Sequence, residues 1–152
     1  MANATYTDAE RATLDAVLDT VVPPDAERGL PGAGEIGIGT ALEREQPALT
    51  PLVANAVAQL DAIARDSGSD AFVALDGAGR EAALRAHAER DPGFLPGLLF
   101  QVFAQYYIDP RVVTALGMEA RPPFPKGYDV APSDLDTLLA PVRSGPKRYR
   151  EV

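Results

Sequence analysis

The chain has 152 residues with 14 basic and 22 acidic side chains, a net charge of −8, no cysteine, no tryptophan and a single histidine, His87. Without thiols there is no disulfide framework, no thiolate nucleophile and no Cys-based zinc or iron–sulfur site, and one imidazole builds no His-rich metal centre; a carboxylate site stays open. The acidic balance argues against nucleic acid or anionic lipid as the main partner, and the length suits one domain with its own core.

Read in chain order, the sequence predicts helices throughout. Thr7-Asp-Ala-Glu10 is a capping box, followed by Leu14, Val17, Leu18 and Val21 on one face, and Pro23-Pro24 ends that helix. Residues 23–34 read as a Pro/Gly loop and about 35–45 as a short helix. Thr50 opens the next, with Pro51 in its first turn and Leu52, Val53, Ala56, Val57, Leu60 and Ile63 on the inner face, and Ser67-Gly68-Ser69 stops it. Asp76 caps a further helix to about Arg90, carrying Leu84 and His87, and Asp91-Pro92-Gly93 breaks it.

Phe94 to Tyr107 is the most apolar segment, with Leu95, Leu98, Leu99, Val102, Phe103 and Tyr106 at helical spacing, and it is the expected central helix. Asp109-Pro110 starts a short helix that Gly117 closes, and Ser133 or Asp134 begins a last one through Leu138 and Leu139. No strand alternation is visible, and 26 alanines favour helix. The expectation is an all-α, compact domain of about six or seven helices. Residues 1–117 form its helical body; 118–152 add a proline-rich extended segment, a short helix and a basic tail in the same domain.

Charge divides along similar lines. Residues 1–109 hold 7 basic and 17 acidic side chains, and residues 110–152 hold 7 basic and 5 acidic. The N-terminus has no basic, apolar or twin-arginine signal, and the longest apolar run, Phe94 to Ile108, is 15 residues, short of the roughly 20 that a spanning helix needs. The expectation is a cytoplasmic protein without membrane insertion.

Chemistry is sparse. Gly32-Ala-Gly34-Glu-Ile-Gly37 matches GxGxxG literally, but a dinucleotide site needs a preceding strand, and here a proline loop precedes it. His87 has no GxSxG serine to activate and reads as a surface or half-buried helix residue. Asp15/Asp19 and Glu43/Glu45 are spaced as solvated helix faces, with Asp61 on another, and nothing marks one carboxyl for a raised pKa. No catalytic, cofactor-binding or metal-binding residue is assigned.

The strip from Tyr106 to Tyr128 is different. Its first part carries Tyr106, Tyr107, Asp109 and Arg111; its second carries Arg121, Pro122, Pro123, Phe124, Pro125, Lys126 and Tyr128. The prolines hold an extended backbone with little entropy left to lose, and aromatics and arginine commonly anchor interfaces. The strip reads equally as a partner-docking surface and as a brace pinned onto the protein's own core. A PxxP ligand for an SH3-like domain, Pro122 to Pro125, is a weaker third reading.

Thr7-Asp-Ala-Glu-Arg-Ala-Thr-Leu14, Val21-Val-Pro-Pro24 and Gly32-Ala-Gly-Glu-Ile-Gly37 resemble the opening of the gluconate 2-dehydrogenase subunit 3 family. Tyr106-Tyr-Ile-Asp-Pro-Arg111 and Pro122-Pro-Phe-Pro-Lys-Gly-Tyr128 are similar to that family's second signature. The resemblance implies a helical, cofactor-free small subunit. Its partner would be a large FAD-dependent dehydrogenase or oxidase subunit of the glucose–methanol–choline type, acting on a sugar, sugar acid or related alcohol in a hetero-oligomer. It implies a role in folding, flavin loading or export of that subunit, and supplies no catalytic residues. Family members often carry a twin-arginine signal; its absence here favours a cytoplasmic complex. The alternative is a stand-alone helical enzyme using His87 or a carboxylate cluster.

Overall fold

The computed structural model describes residues 5–121, 127 and 131–146. Its described residues form seven α-helices and no strand: α1 (Asp8–Val21), α2 (Ile38–Glu45), α3 (Thr50–Asp66), α4 (Gly77–Arg90), α5 (Phe94–Tyr106), α6 (Pro110–Ala115) and α7 (Leu135–Arg143). The all-α fold is the one the sequence predicts. Two short 3-10 helices, Pro47–Leu49 and Phe72–Ala74, were not expected. The chain divides into two units, Met1–Ala120 and Arg121–Val152.

In the first unit, the ends of the helices follow local chemistry. At α1 the Glu10 amide donates to the Thr7 hydroxyl (3.2 Å) while the Thr7 amide donates to the Glu10 carboxylate (2.7 Å), so two orphan donors are satisfied. Asp76 accepts from the Gly79 amide (2.8 Å) at α4, and Asp109 accepts from the Arg111 amide (2.9 Å) at α6. Gly37 precedes α2 at φ +76° and Gly117 follows α6 at φ +77°, the left-handed region that glycine enters without Cβ strain.

The centre is α1, not α5. Thr13, Leu14, Val17 and Leu18 are buried, and α1 packs on α2, α3, α4 and the Phe72–Ala74 turn. Phe72 is fully buried there, in a stretch to which the sequence assigns no element. The most apolar helix, α5, leans on α2 and buries only Phe94, Leu98, Val102 and Tyr106. That spacing of four defines one face, and Phe103, expected inward, points away from it. Total apolarity measures how much surface wants cover; it does not say which neighbour supplies it. Leu52 of α3 is likewise exposed rather than inward.

Several carboxylates expected on solvated faces brace the core instead. Asp61 of α3 accepts from the Thr13 hydroxyl of α1 (3.2 Å) and from the Phe72 amide (3.0 Å). Glu43 of α2 accepts from the Tyr6 amide (2.8 Å) and pairs with Arg11 of α1 at 2.6 Å. Arg11, and then the Tyr6 amide, hold the Glu43 carboxyl below its ordinary range. Each bond ties segments distant in sequence, a relation that helical periodicity does not encode.

His87 is also a correction. It lies on α4 at 0 % exposure, neither ring nitrogen has a hydrogen-bond partner among the described residues, and its ring meets Phe94 edge-on at 5.1 Å. Burial lowers its pKa below the ordinary 6.5; Asp91 opposes the shift and Arg90 adds to it.

The second unit contains α7, whose N-terminus is capped by Asp134 accepting from the Thr137 amide (3.1 Å). Arg143 pairs with Asp136 at 2.9 Å across its outer surface. Arg121 donates to the Gly127 carbonyl (3.1 Å).

The buried imidazole has a consequence for stability. The unfolded chain takes up the His87 proton near pH 6.5, whereas the folded chain takes it up only at lower pH, so the contribution is complete above 6.5 and lost below it. Thermal melts from pH 7.5 to 5.5 are expected to show Tm falling more steeply for the wild type than for His87→Leu. Parallel curves would contradict this.

Candidate functional site

The glycine motif at 32–37 has a packing explanation. The Asp25–Leu30 bridge closes the proline loop, and the chain then runs back along α1. The Gly34 amide donates to the Asp19 carboxylate (2.7 Å). A Cβ on Gly32 would run into that carboxylate, and one on Gly34 would stand 2.6 Å from the Asp15 carbonyl oxygen. The glycines let this backbone lie directly on α1; no strand precedes them, and the loop reading of GxGxxG holds. Burial pushes the Asp15 carboxyl up, with Arg11 opposing and Asp19 adding, so one carboxyl is raised where the sequence marked none. Among the described residues there is no cluster of three or more potential metal ligands.

That loop fixes the end of α5. The Tyr106 hydroxyl donates to the Pro31 carbonyl (2.8 Å), and its ring is 4 % exposed. Burial pushes the Tyr106 phenol up, and Tyr107, Asp109, Asp25 and Glu35 push it the same way. Of the two readings of the strip, bracing describes Tyr106. Tyr107 is the opposite case: 54 % exposed, edge-on to Tyr106 at 5.4 Å and tilted on Phe103 at 6.0 Å.

Asp109 and Arg111 are held to each other. The Arg111 guanidinium meets both Asp109 oxygens at 3.0 and 3.1 Å. The guanidinium holds the Asp109 carboxyl below its ordinary range. Arg121 belongs to the second unit. Pro122, Pro123, Phe124, Pro125, Lys126 and Tyr128 lie outside the described residues.

The surface that sequence reasoning missed is the outer face of α5. Phe100 is 73 % exposed, and Phe103 and, just past the helix end, Tyr107 are exposed with it. From Phe94 to Ile108 there is no Asp, Glu, Lys or Arg. A helix with apolar residues on both faces has one face too many for a single core. The sequence signal was present in the spacing of 100, 103 and 107, which complements 94, 98, 102 and 106. At the Tyr107 end, the Pro23–Leu30 loop and Leu116 complete a groove of about 510 Å³. A separate apolar hollow of about 280 Å³ lies between Leu49, Leu52, Phe94 and Leu98.

Two substitutions probe this construction. Gly34→Ala is expected to cost about 1–3 kcal/mol, because the opposing atom is backbone and the loop must move. Tyr106→Phe should cost about 1 kcal/mol by leaving the Pro31 carbonyl unpaired. Chemical denaturation measures both; wild-type midpoints would refute the close approach and the pin, respectively.

No curated protein and no solved structure matches the chain. The family model of gluconate 2-dehydrogenase subunit 3 matches residues 8–118, from the first residue of α1 to just beyond α6. The match takes in the proline loop, the glycine motif and the whole of α5, and ends before Arg121. With most of its length matched, the chain belongs to the gluconate 2-dehydrogenase subunit 3 family.

Proposed function

We propose that this chain is a non-catalytic small subunit that binds a large FAD-dependent oxidoreductase subunit and stabilises it or helps it mature. The substrate of that complex would be a sugar, sugar acid or related alcohol, in keeping with the family's name. The flavin resides in the partner. The observation that carries the reading is the charge-free apolar face of α5, exposed on a protein whose core is already complete without it. Contiguous apolar surface of this kind marks interaction sites. The strip from Arg121 to Tyr128 serves as a further contact in this proposal, with Phe124 and Tyr128 as anchors.

The alternative, a stand-alone enzyme, is the weaker reading because of His87. A general base must reach the proton that it abstracts, and this imidazole is sealed at 0 % exposure. The carboxylates are mostly engaged as caps and braces, as Asp61 and Glu43 illustrate.

A subunit that binds only the folded form of its partner stabilises it by mass action. Co-expression with a candidate large FAD-dependent dehydrogenase subunit is expected to raise the soluble, flavin-loaded yield of that subunit and to give co-purification. Unchanged yield, unchanged flavin content and no co-purification would overturn the proposal.

A further inference from the structure

Resting on the reading of a small subunit, we infer that the outer face of α5 and the groove beside Tyr107 form the docking surface, and that they receive an apolar segment of the partner flanked by Arg or Lys. The apolar part follows from Phe100, Phe103 and Tyr107, exposed at helical spacing on a segment that bears no charge. A partner covering this stripe desolvates no ionised group from it, so the penalty that burdens buried charges is avoided.

The flanking charge follows from what surrounds the groove. Asp25 and Glu27 line it, and Asp109 and Glu35 lie close enough to act on the Tyr106 phenol. Among the described residues of the first unit, the cations paired with these carboxylates are Arg28, 3.4 Å from Asp25, and Arg111, bound to Asp109. Among those same residues, the surroundings of the groove thus hold four carboxylates against two guanidiniums, a negative balance. Residues 1–109 as a whole carry 17 acidic and 7 basic side chains. A basic flank complements that field and speeds encounter, whereas a second copy of the chain would bring one acidic rim toward another. An anionic lipid surface is disfavoured for the same reason. The long stems of Arg or Lys also suit a groove whose walls are Pro23, Pro24 and Leu116 and whose edge is Glu27, since such stems lie on apolar surface while the head stays with the carboxylate.

The test uses the full chain and the co-expressed large flavin subunit. One variant, Phe100→Ser with Phe103→Ser, strips exposed rings that the core does not use; a second, Glu27→Lys with Glu35→Lys, inverts exposed rim charges. Circular dichroism and melts establish that each folds, and the two variants act through different chemistry. Affinity for the large subunit is expected to fall at least about tenfold in both, and raising salt should slow association of the wild type more than that of the charge variant. Wild-type affinity in either variant overturns the assignment and leaves the functional reading intact. No complex with the wild type overturns that reading and the assignment with it. A wild-type homodimer that Phe100→Ser with Phe103→Ser dissolves would also overturn the assignment, giving the face to a second copy.

Discussion

The structure of the first unit depends on how closely the backbone at 32–34 lies against α1. Asp19 draws in the Gly34 amide, and the absence of two Cβ atoms lets the loop settle. From that seat the Pro31 carbonyl receives the Tyr106 hydroxyl, which sets the C-terminal end of α5. The position of α5 in turn decides which of its rings are covered and which are presented. A six-residue glycine motif that looks like a phosphate cradle is thus the base on which an apolar surface is aimed.

Much of the fold is legible locally. The capping box at Thr7, the caps at Asp76 and Asp109, and the breaks at Pro23-Pro24 and Asp91-Pro92-Gly93 all fall within a few residues of the structural boundaries. These are short-range events, decided by hydrogen bonds and φ restrictions within one turn. What was not legible is long-range. Asp61 sits at a position that periodicity assigns to a polar face, yet it bridges α1 and the Phe72–Ala74 turn. Glu43 and Arg11 are 32 residues apart in sequence. The eye reads Phe103 into the core because it follows Val102, and only the register of α5 on α2 separates them. Of the candidate site, Tyr107 is visible in the sequence as an aromatic near the helix end, while Phe100 is hidden because Leu98, Leu99, Val102 and Phe103 around it share the helical spacing that reads as an inner face.

His87 shows how burial alters the meaning of a residue type. An imidazole in sequence suggests acid–base chemistry near neutrality. Enclosed on α4 against Phe94, with no donor or acceptor for either nitrogen among the described residues, it packs as a flat filler in which burial disfavours the protonated form. The same reasoning runs in reverse for α5, where rings that would ordinarily fill a core are left facing water.

The acidic surplus of residues 1–109 also bears on how copies of the chain meet one another. A protein that displays Phe100, Phe103 and Tyr107 together is exposed to self-adhesion from the moment it leaves the ribosome. Like charge on every copy, −8 per chain, holds molecules apart at the distances where bare rings would otherwise begin to stick. Colloidal dispersal and a sticky face are then two halves of one solution, letting the chain wait in dilute form with its apolar side uncovered.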